Sequence, residues 1–217
     1  MKEDYFTKDS LATTASQLLN EIAPFYRKRK WTIQNDSVAL LVLDMQCYFL
    51  ERVSHAFIPS AEAIVPNIKK LQECFLERGG RVFQTRHVNT MENAGGMNRW
   101  WRELLTASNG LCEVIGDITD DRVKCLDKSQ YDAFFKTNLE TELKTLGIHQ
   151  VVITGVMTHL CCESTARSAF MRGFEVFFVV DATATYNLQF HRASLLTLSH
   201  GFVVPVLTGE IVGGKND

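Results

Sequence analysis

From residue 37 onward, short continuous apolar runs alternate with longer stretches in which apolar residues recur every three or four positions. "VALLVLD" (38–44), "RVFQTRH" (81–87), "QVVITG" (150–155), "FEVFFVVDA" (174–182) and "FVVPVL" (202–207) read as strands. The unbroken runs among them are expected of strands covered on both faces. "DRVKCLDK" (121–128) reads as a weaker strand. In "SAEAIVPNIKKLQECFLERGG", residues Ala61, Ile64 or Val65, Ile68, Leu71 and Phe75 recur at helical spacing, and Gly79-Gly80 ends the helix. "TNLETELKTLGI" opens on a capping-box pattern, Thr137 with Glu140, and carries Leu139, Leu143 and Leu146 as its apolar stripe. Further helices are expected from about Cys161 to Arg172, with Gly173 as the C′ stop, and over about Leu188–Ser199. Residues 88–122 form the longest irregular region, with a short helix predicted within 95–105.

Strands alternating with helices imply an α/β protein. The pattern predicts a single three-layer α/β/α domain over residues 37–217, built on a mostly parallel sheet of about six strands. Residues 1–36 read as an N-terminal extension packed on the domain or on a neighbouring subunit. They hold a helix around Leu11–Ile22 and a basic cluster, "RKRK" at 27–30, which reads as a solvated face.

Composition narrows the partners. The formal net charge is −2, so no basic surplus points to nucleic acid or an anionic membrane. No apolar run approaches the ~20 residues that span a bilayer, and "MKEDYFTKDS" lacks the apolar centre of a signal peptide. A cytoplasmic protein acting on a small molecule is expected. The six cysteines show no CxxC spacing and read as free thiols in a reducing compartment.

In an open parallel sheet, ligands bind beyond the carboxyl ends of the strands, where the strand order reverses. Three polar features end apolar strands: Asp44, Lys128 and the turn "GVMTHLC" after "VVIT". Asp44 is either a general base or a cap of the following turn, and burial would raise its pKa unless a cation stands near. Lys128, if close to Asp44 and a thiol, would keep the acid ionised and favour thiolate. Cys161 opens a helix, where unsatisfied N–H groups and the dipole stabilise an anion, and is the candidate nucleophile. Cys162 lies about 100° further round and cannot face the same pocket; it reads as a small core residue. The N–H groups of Met157 and Cys161 converge as an oxyanion hole if the turn is tight. Phe49, His87, Trp100 or Trp101, and Tyr131 lie near the strand ends as candidate substrate contacts, with Thr158 in the turn itself. Arg86 or Arg99 could grip a substrate carboxylate. His159 reads as a hydrogen-bonding residue and His191 as a brace for its helix.

Three motifs, "LVLDMQCYF", "KSQYDAF" and "ITGVMTHLCCESTARSAFMRGFEVFFVVDATAT", together resemble the isochorismatase-like cysteine hydrolases over about residues 37–207. The resemblance implies an Asp–Lys–Cys triad, here Asp44, Lys128 and Cys161, and a cis peptide at Val156–Met157. It also implies a homo-oligomer, dimer or tetramer. True isochorismatases cleave a vinyl ether and typically carry glycine at the nucleophile slot, so Cys161 argues for covalent catalysis. Nicotinamidases carry a metal-binding Asp-x-His after the second strand. His87 and Asn89 stand there instead, a poor donor set for zinc, so no metal or other cofactor is expected. "CCESTAR" resembles the ureidoacrylate and N-carbamoyl amide hydrolases of the family. The expected activity is metal-independent cleavage of a C–N bond in a small amide or carbamoyl substrate through a Cys161 acyl-enzyme. The alternatives are ether hydrolysis by Asp44 and Lys128, a non-catalytic oligomeric binding protein on the same fold, and a redox or metal sensor using Cys161 and Cys162.

Overall fold

Strands β1 (Val38–Leu43) and β4 (Gln150–Val156) lie at the centre of a six-stranded sheet, and every residue of both is buried. The computed structural model describes residues 1–26 and 31–213; the basic run at 27–30 lies outside them. From β1 the chain moves outward through β2 (Arg81–His87) to the edge strand β3 (Lys124–Lys128). It then returns to β4 and moves outward the other way through β5 (Glu175–Ala184) and β6 (Val203–Val206). All five pairings are parallel, in the order β3-β2-β1-β4-β5-β6. That order reverses between β1 and β4, which opens a crevice above their carboxyl ends.

The intervening helices are α2 (Cys47–Leu50), α3 (Ala61–Glu77), α4 (Met97–Trp100), α5 (Leu139–Thr145), α6 (Glu163–Met171), α7 (Leu188–Gly201) and α8 (Thr208–Val212). Helices α3 and α8 pack together on one face of the sheet. Helices α6 and α7 cover the other, together with the N-terminal α1 (Leu11–Ile22). Phe6, Leu11, Ala15, Leu18 and Ile22 join the same apolar core as the strands, so the N-terminal segment is part of the packed body. Among the described residues, no helix is long and apolar enough to cross a membrane.

Three local expectations are corrected. Strand β3 begins at Lys124, later than the apolar pattern suggests, and only Lys128 of it is buried; an edge strand needs no continuous apolar run. No capping box starts α5: Asn138 takes the N-cap position, and the Thr137 hydroxyl accepts from Leu139 N at 3.3 Å while donating to Ala133 O. The helix expected from Cys161 is preceded by a wide π-type turn over Thr158–Cys162, and α6 starts at Glu163.

Candidate active site

Asp44 follows β1 directly, with φ at +51°, a left-handed conformation that aspartate tolerates better than most residues. The turn aims its carboxylate along the sheet toward β2, where Thr85 stands in register with Leu43. The Thr85 hydroxyl donates to Asp44 Oδ1 at 2.7 Å. Lys128 ends β3 opposite His87, and its ammonium reaches past β2 to Asp44 Oδ2 at 2.7 Å. Both side chains are fully buried. Lys128 Nζ also donates to Gln130 O at 2.9 Å and to Cys161 Sγ at 3.4 Å. Lys128 approaches Asp44 Oδ2 off the line of a hydrogen bond, so this buried oxygen has no aligned donor. The charge of the same carboxylate acts on the Cys161 thiol and raises it. A lone pair is therefore available to take the thiol proton.

Gly155 brings the nucleophile turn this close. Its φ is +103°, and a Cβ there would sit 2.1 Å from Leu43 O and 2.6 Å from Leu43 N. Only glycine lets β4 press on the residue just before Asp44. The pairing with β5 shifts register at the same point. The Val156–Met157 peptide that follows is cis. The turn is held by Leu160 N and Cys162 N, both donating to Met157 O, and by two side-chain bonds. Thr158 Oγ1 meets His191 Nδ1 at 2.9 Å, and His159 Nδ1 meets Thr185 Oγ1 at 2.6 Å. Cys161 thus faces Lys128, while Cys162 is fully enclosed in the core with its sulfur toward Thr154 O.

The electrostatics differ in one respect from the helix-start expectation of a favoured thiolate. Burial, with the Asp44 charge added, pushes the Cys161 thiol up to about 12, against the opposing pull of Lys128. Desolvation of a fully buried sulfur outweighs what a helix terminus offers a partly exposed one. Lys128 is itself depressed by burial, but the neighbouring Asp44 and Cys161 more than compensate and raise it, so it stays an ammonium. The resting site therefore holds a thiol beside a Lys–Asp ion pair. Burial, then Lys128, pushes His87 down to about 4, leaving a neutral imidazole. Asn89 Nδ2 donates to Ser129 O, so its Oδ1 accepts from His87 Nε2 at 2.8 Å, which assigns the His87 tautomer. Among the described residues, no three His, Cys, Asp or Glu side chains cluster as a metal site. One imidazole already bound to one amide does not fit zinc.

A small cavity of about 60 Å³, partly open to solvent, lies above this cluster. Cys161, Met157, Phe49, His87 and Tyr131 line it. Trp100 does not: it is 78% exposed, and its neighbour Trp101 forms the wall, donating from Nε1 to Tyr131 OH at 2.7 Å. Thr158 is fully buried and holds His191 rather than facing the cavity. Arg86 is paired with Asp127 and Glu113, and neither it nor Arg99 lines the cavity, so no carboxylate clamp forms from them. His191 braces the nucleophile turn, not only its own helix.

Sequence reasoning passes over Thr85, Gln46, Tyr48, Glu103 and Tyr186. Gln46 is buried and knits the strand ends together: Nε2 donates to His87 O and Cys112 O, and Oε1 accepts from His87 N at 2.8 Å. Its signal is visible, since a polar residue inside "LVLDMQ", like Thr85 inside "VFQTRH", needs a buried partner.

The Isochorismatase domain model matches residues 38–210. The chain belongs to the isochorismatase-like cysteine hydrolase family. Nicotinamidase 3 of Arabidopsis thaliana is 37% identical over 183 residues, which are 82% of this chain and 88% of that protein. Enterobactin synthase component B of Escherichia coli is 33% identical over 190 residues, 85% of this chain but 66% of that longer protein. A cysteine hydrolase from Pseudomonas syringae superposes with a TM-score of 0.80 at 25% identity, covering 88% of this chain and 96% of the other. The six-stranded parallel sheet flanked by helices is that of this hydrolase family.

Proposed function

We propose that this family member is a metal-independent cysteine amidohydrolase, with Asp44, Lys128 and Cys161 as its catalytic residues. The observation that carries this reading is the position of one ammonium, Lys128 Nζ, at 2.7 Å from a buried carboxylate and 3.4 Å from a sulfur that lines a cavity. The similarity to a nicotinamidase and to a cysteine hydrolase supports it.

Asp44 takes the Cys161 proton as the sulfur attacks the carbonyl carbon, because the thiol is too weak an acid to ionise unaided near neutral pH. The C–S bond forms and the carbonyl electron pair moves to oxygen, toward the N–H groups of Met157 and Cys161. Asp44 returns the proton to nitrogen as the C–N bond breaks, releasing ammonia or an amine. Water then attacks the thioester, or the thiocarbamate from a carbamoyl substrate. Asp44 accepts its proton and the C–S bond breaks. The same proton restores the thiol. Lys128 supplies the counter-charge beside Asp44 through the cycle, 2.7 Å from Oδ2.

The test is ammonia or amine release from a panel of small amides and ureido compounds, with and without chelator. Wild type and Cys162→Ala should turn over at least one amide with chelator present, and Cys161→Ala should not. Retention of full activity by Cys161→Ala would instead mean that Asp44 and Lys128 hydrolyse the C–N bond without a covalent intermediate on Cys161.

A further inference from the structure

The mouth of the cavity carries a charge that the reaction described above leaves unused. Glu103 is the one Asp, Glu, Lys or Arg among the residues lining the cavity. Its Oε1 accepts from Tyr48 OH at 3.0 Å and meets His55 Nδ1 at 3.1 Å. Both contacts fall on Oε1, which leaves Oε2 without a partner among the described residues. Its side chain is about half exposed, as a residue at a mouth should be. Around it the walls are aromatic, with Tyr48, Phe49, Trp101, Tyr131 and Tyr186 all lining the same space.

Among the described residues, no Lys or Arg is part of the lining itself. Lys128 is enclosed and paired with Asp44. Arg86 is paired with Asp127 and Glu113. Lys2 donates to His55 O at 2.5 Å and lies over the Tyr186 ring, and Arg102 is exposed; neither lines the cavity. A carboxylate entering this mouth meets another carboxylate and, among the described lining residues, no Lys or Arg. A positive group meets a carboxylate within an aromatic lining, the residue types that recognise alkylammonium groups.

Building on the amidohydrolase reading, we propose that Glu103 is a specificity-determining residue, and that the substrate is an amide bearing an amine or quaternary ammonium, not a carboxylate, at the end remote from the scissile bond. The charge acts at the mouth and not on the reacting atoms, so it changes KM and leaves kcat alone.

The experiment compares three amides of matched shape whose remote group is trimethylammonium, neutral tert-butyl or carboxylate. Wild type should rank them in that order by kcat/KM, with a cation-to-anion ratio of about ten, the scale expected of a half-exposed charge acting twice. The difference should appear in KM. Glu103→Gln should bring the ratio close to one, and because a ratio within one preparation does not depend on the folded fraction, imperfect folding cannot mimic this. Added salt at about 1 M should shrink the wild-type ratio as well. A wild-type enzyme that handles the carboxylate at least as well as the cation would overturn the proposal, as would a ratio that Glu103→Gln leaves intact. If wild type hydrolyses none of the three, the amidohydrolase reading fails by itself. The charge preference is then decided by calorimetric binding of the same compounds to Cys161→Ala: a cation preference upholds it, and equal or reversed binding overturns it.

Discussion

Among the described residues, Lys128 supplies the ammonium that touches Asp44, and replacing it with methionine removes that contact. The two side chains are fully buried, 2.7 Å apart, and the Thr85 hydroxyl donates to Asp44 Oδ1 at 2.7 Å. The variant therefore leaves a buried carboxylate without its counter-charge. Breaking such a pair from one side costs about 3–5 kcal/mol. For a domain of this size, where 1 kcal/mol moves the melting temperature by about 2–4 °C, the loss is about 6–20 °C. Asp44→Asn together with Lys128→Met leaves neither charge unpaired and should recover part of that loss. The two substitutions should then be non-additive by at least about 1 kcal/mol in urea unfolding. All three variants should lack amidase activity, because one lacks the proton acceptor, another the ammonium beside it, and the double variant both. Stability of Lys128→Met within about 1 kcal/mol of wild type, or strict additivity, would refute the account of a desolvated, mutually dependent pair.

Two other outcomes follow from the same geometry. Gly155→Ala drives a Cβ into the backbone of Leu43 and holds alanine at a φ of +103°. It should cost at least ~1–3 kcal/mol and, by shifting Asp44 against Cys161, about 100-fold in kcat; a variant with wild-type kinetics would contradict the close approach. Acid should also destabilise the fold through His191. Burial pushes this imidazole down to about 3, so it stays neutral in the folded state while the unfolded chain takes up a proton below about 6.5. The unfolded state then binds more protons, so His191's contribution is complete above about pH 6.5 and is lost as pH falls toward 3. At pH 5 the loss is about 2 kcal/mol relative to pH 8. Urea unfolding of His191→Gln should show a pH dependence flatter by about that amount, and an unchanged slope would refute the assignment.

The strands that carry the site were legible because burial on both faces demands unbroken apolar runs, as in β1 and β4. A polar residue that ends such a run stands out, as Asp44 does after β1, whereas Lys128 ends a largely exposed edge strand and Cys161 lies in the turn after β4. Thr85 and Gln46 were harder to assign because their partners depend on strand register, which one strand's pattern does not carry. The choice between Trp100 and Trp101 turned on the last residue of a four-residue helix, too short for a periodicity to set a face. Tyr48, His55 and Glu103 come from separate segments that only the folded chain brings together. The thiol's acidity was misjudged for a different reason: a helix-start argument counts the dipole and omits the enclosure of the sulfur.

The most direct measurement is intact and peptide mass spectrometry on enzyme quenched during turnover of a slowly hydrolysed amide. An adduct with the mass of the acyl group should appear on Cys161, persist in Cys162→Ala and be absent from Cys161→Ala. An adduct on Cys162, or steady turnover by Cys161→Ala with no acylated species, would contradict the central claim that the sulfur beside Lys128 attacks the substrate.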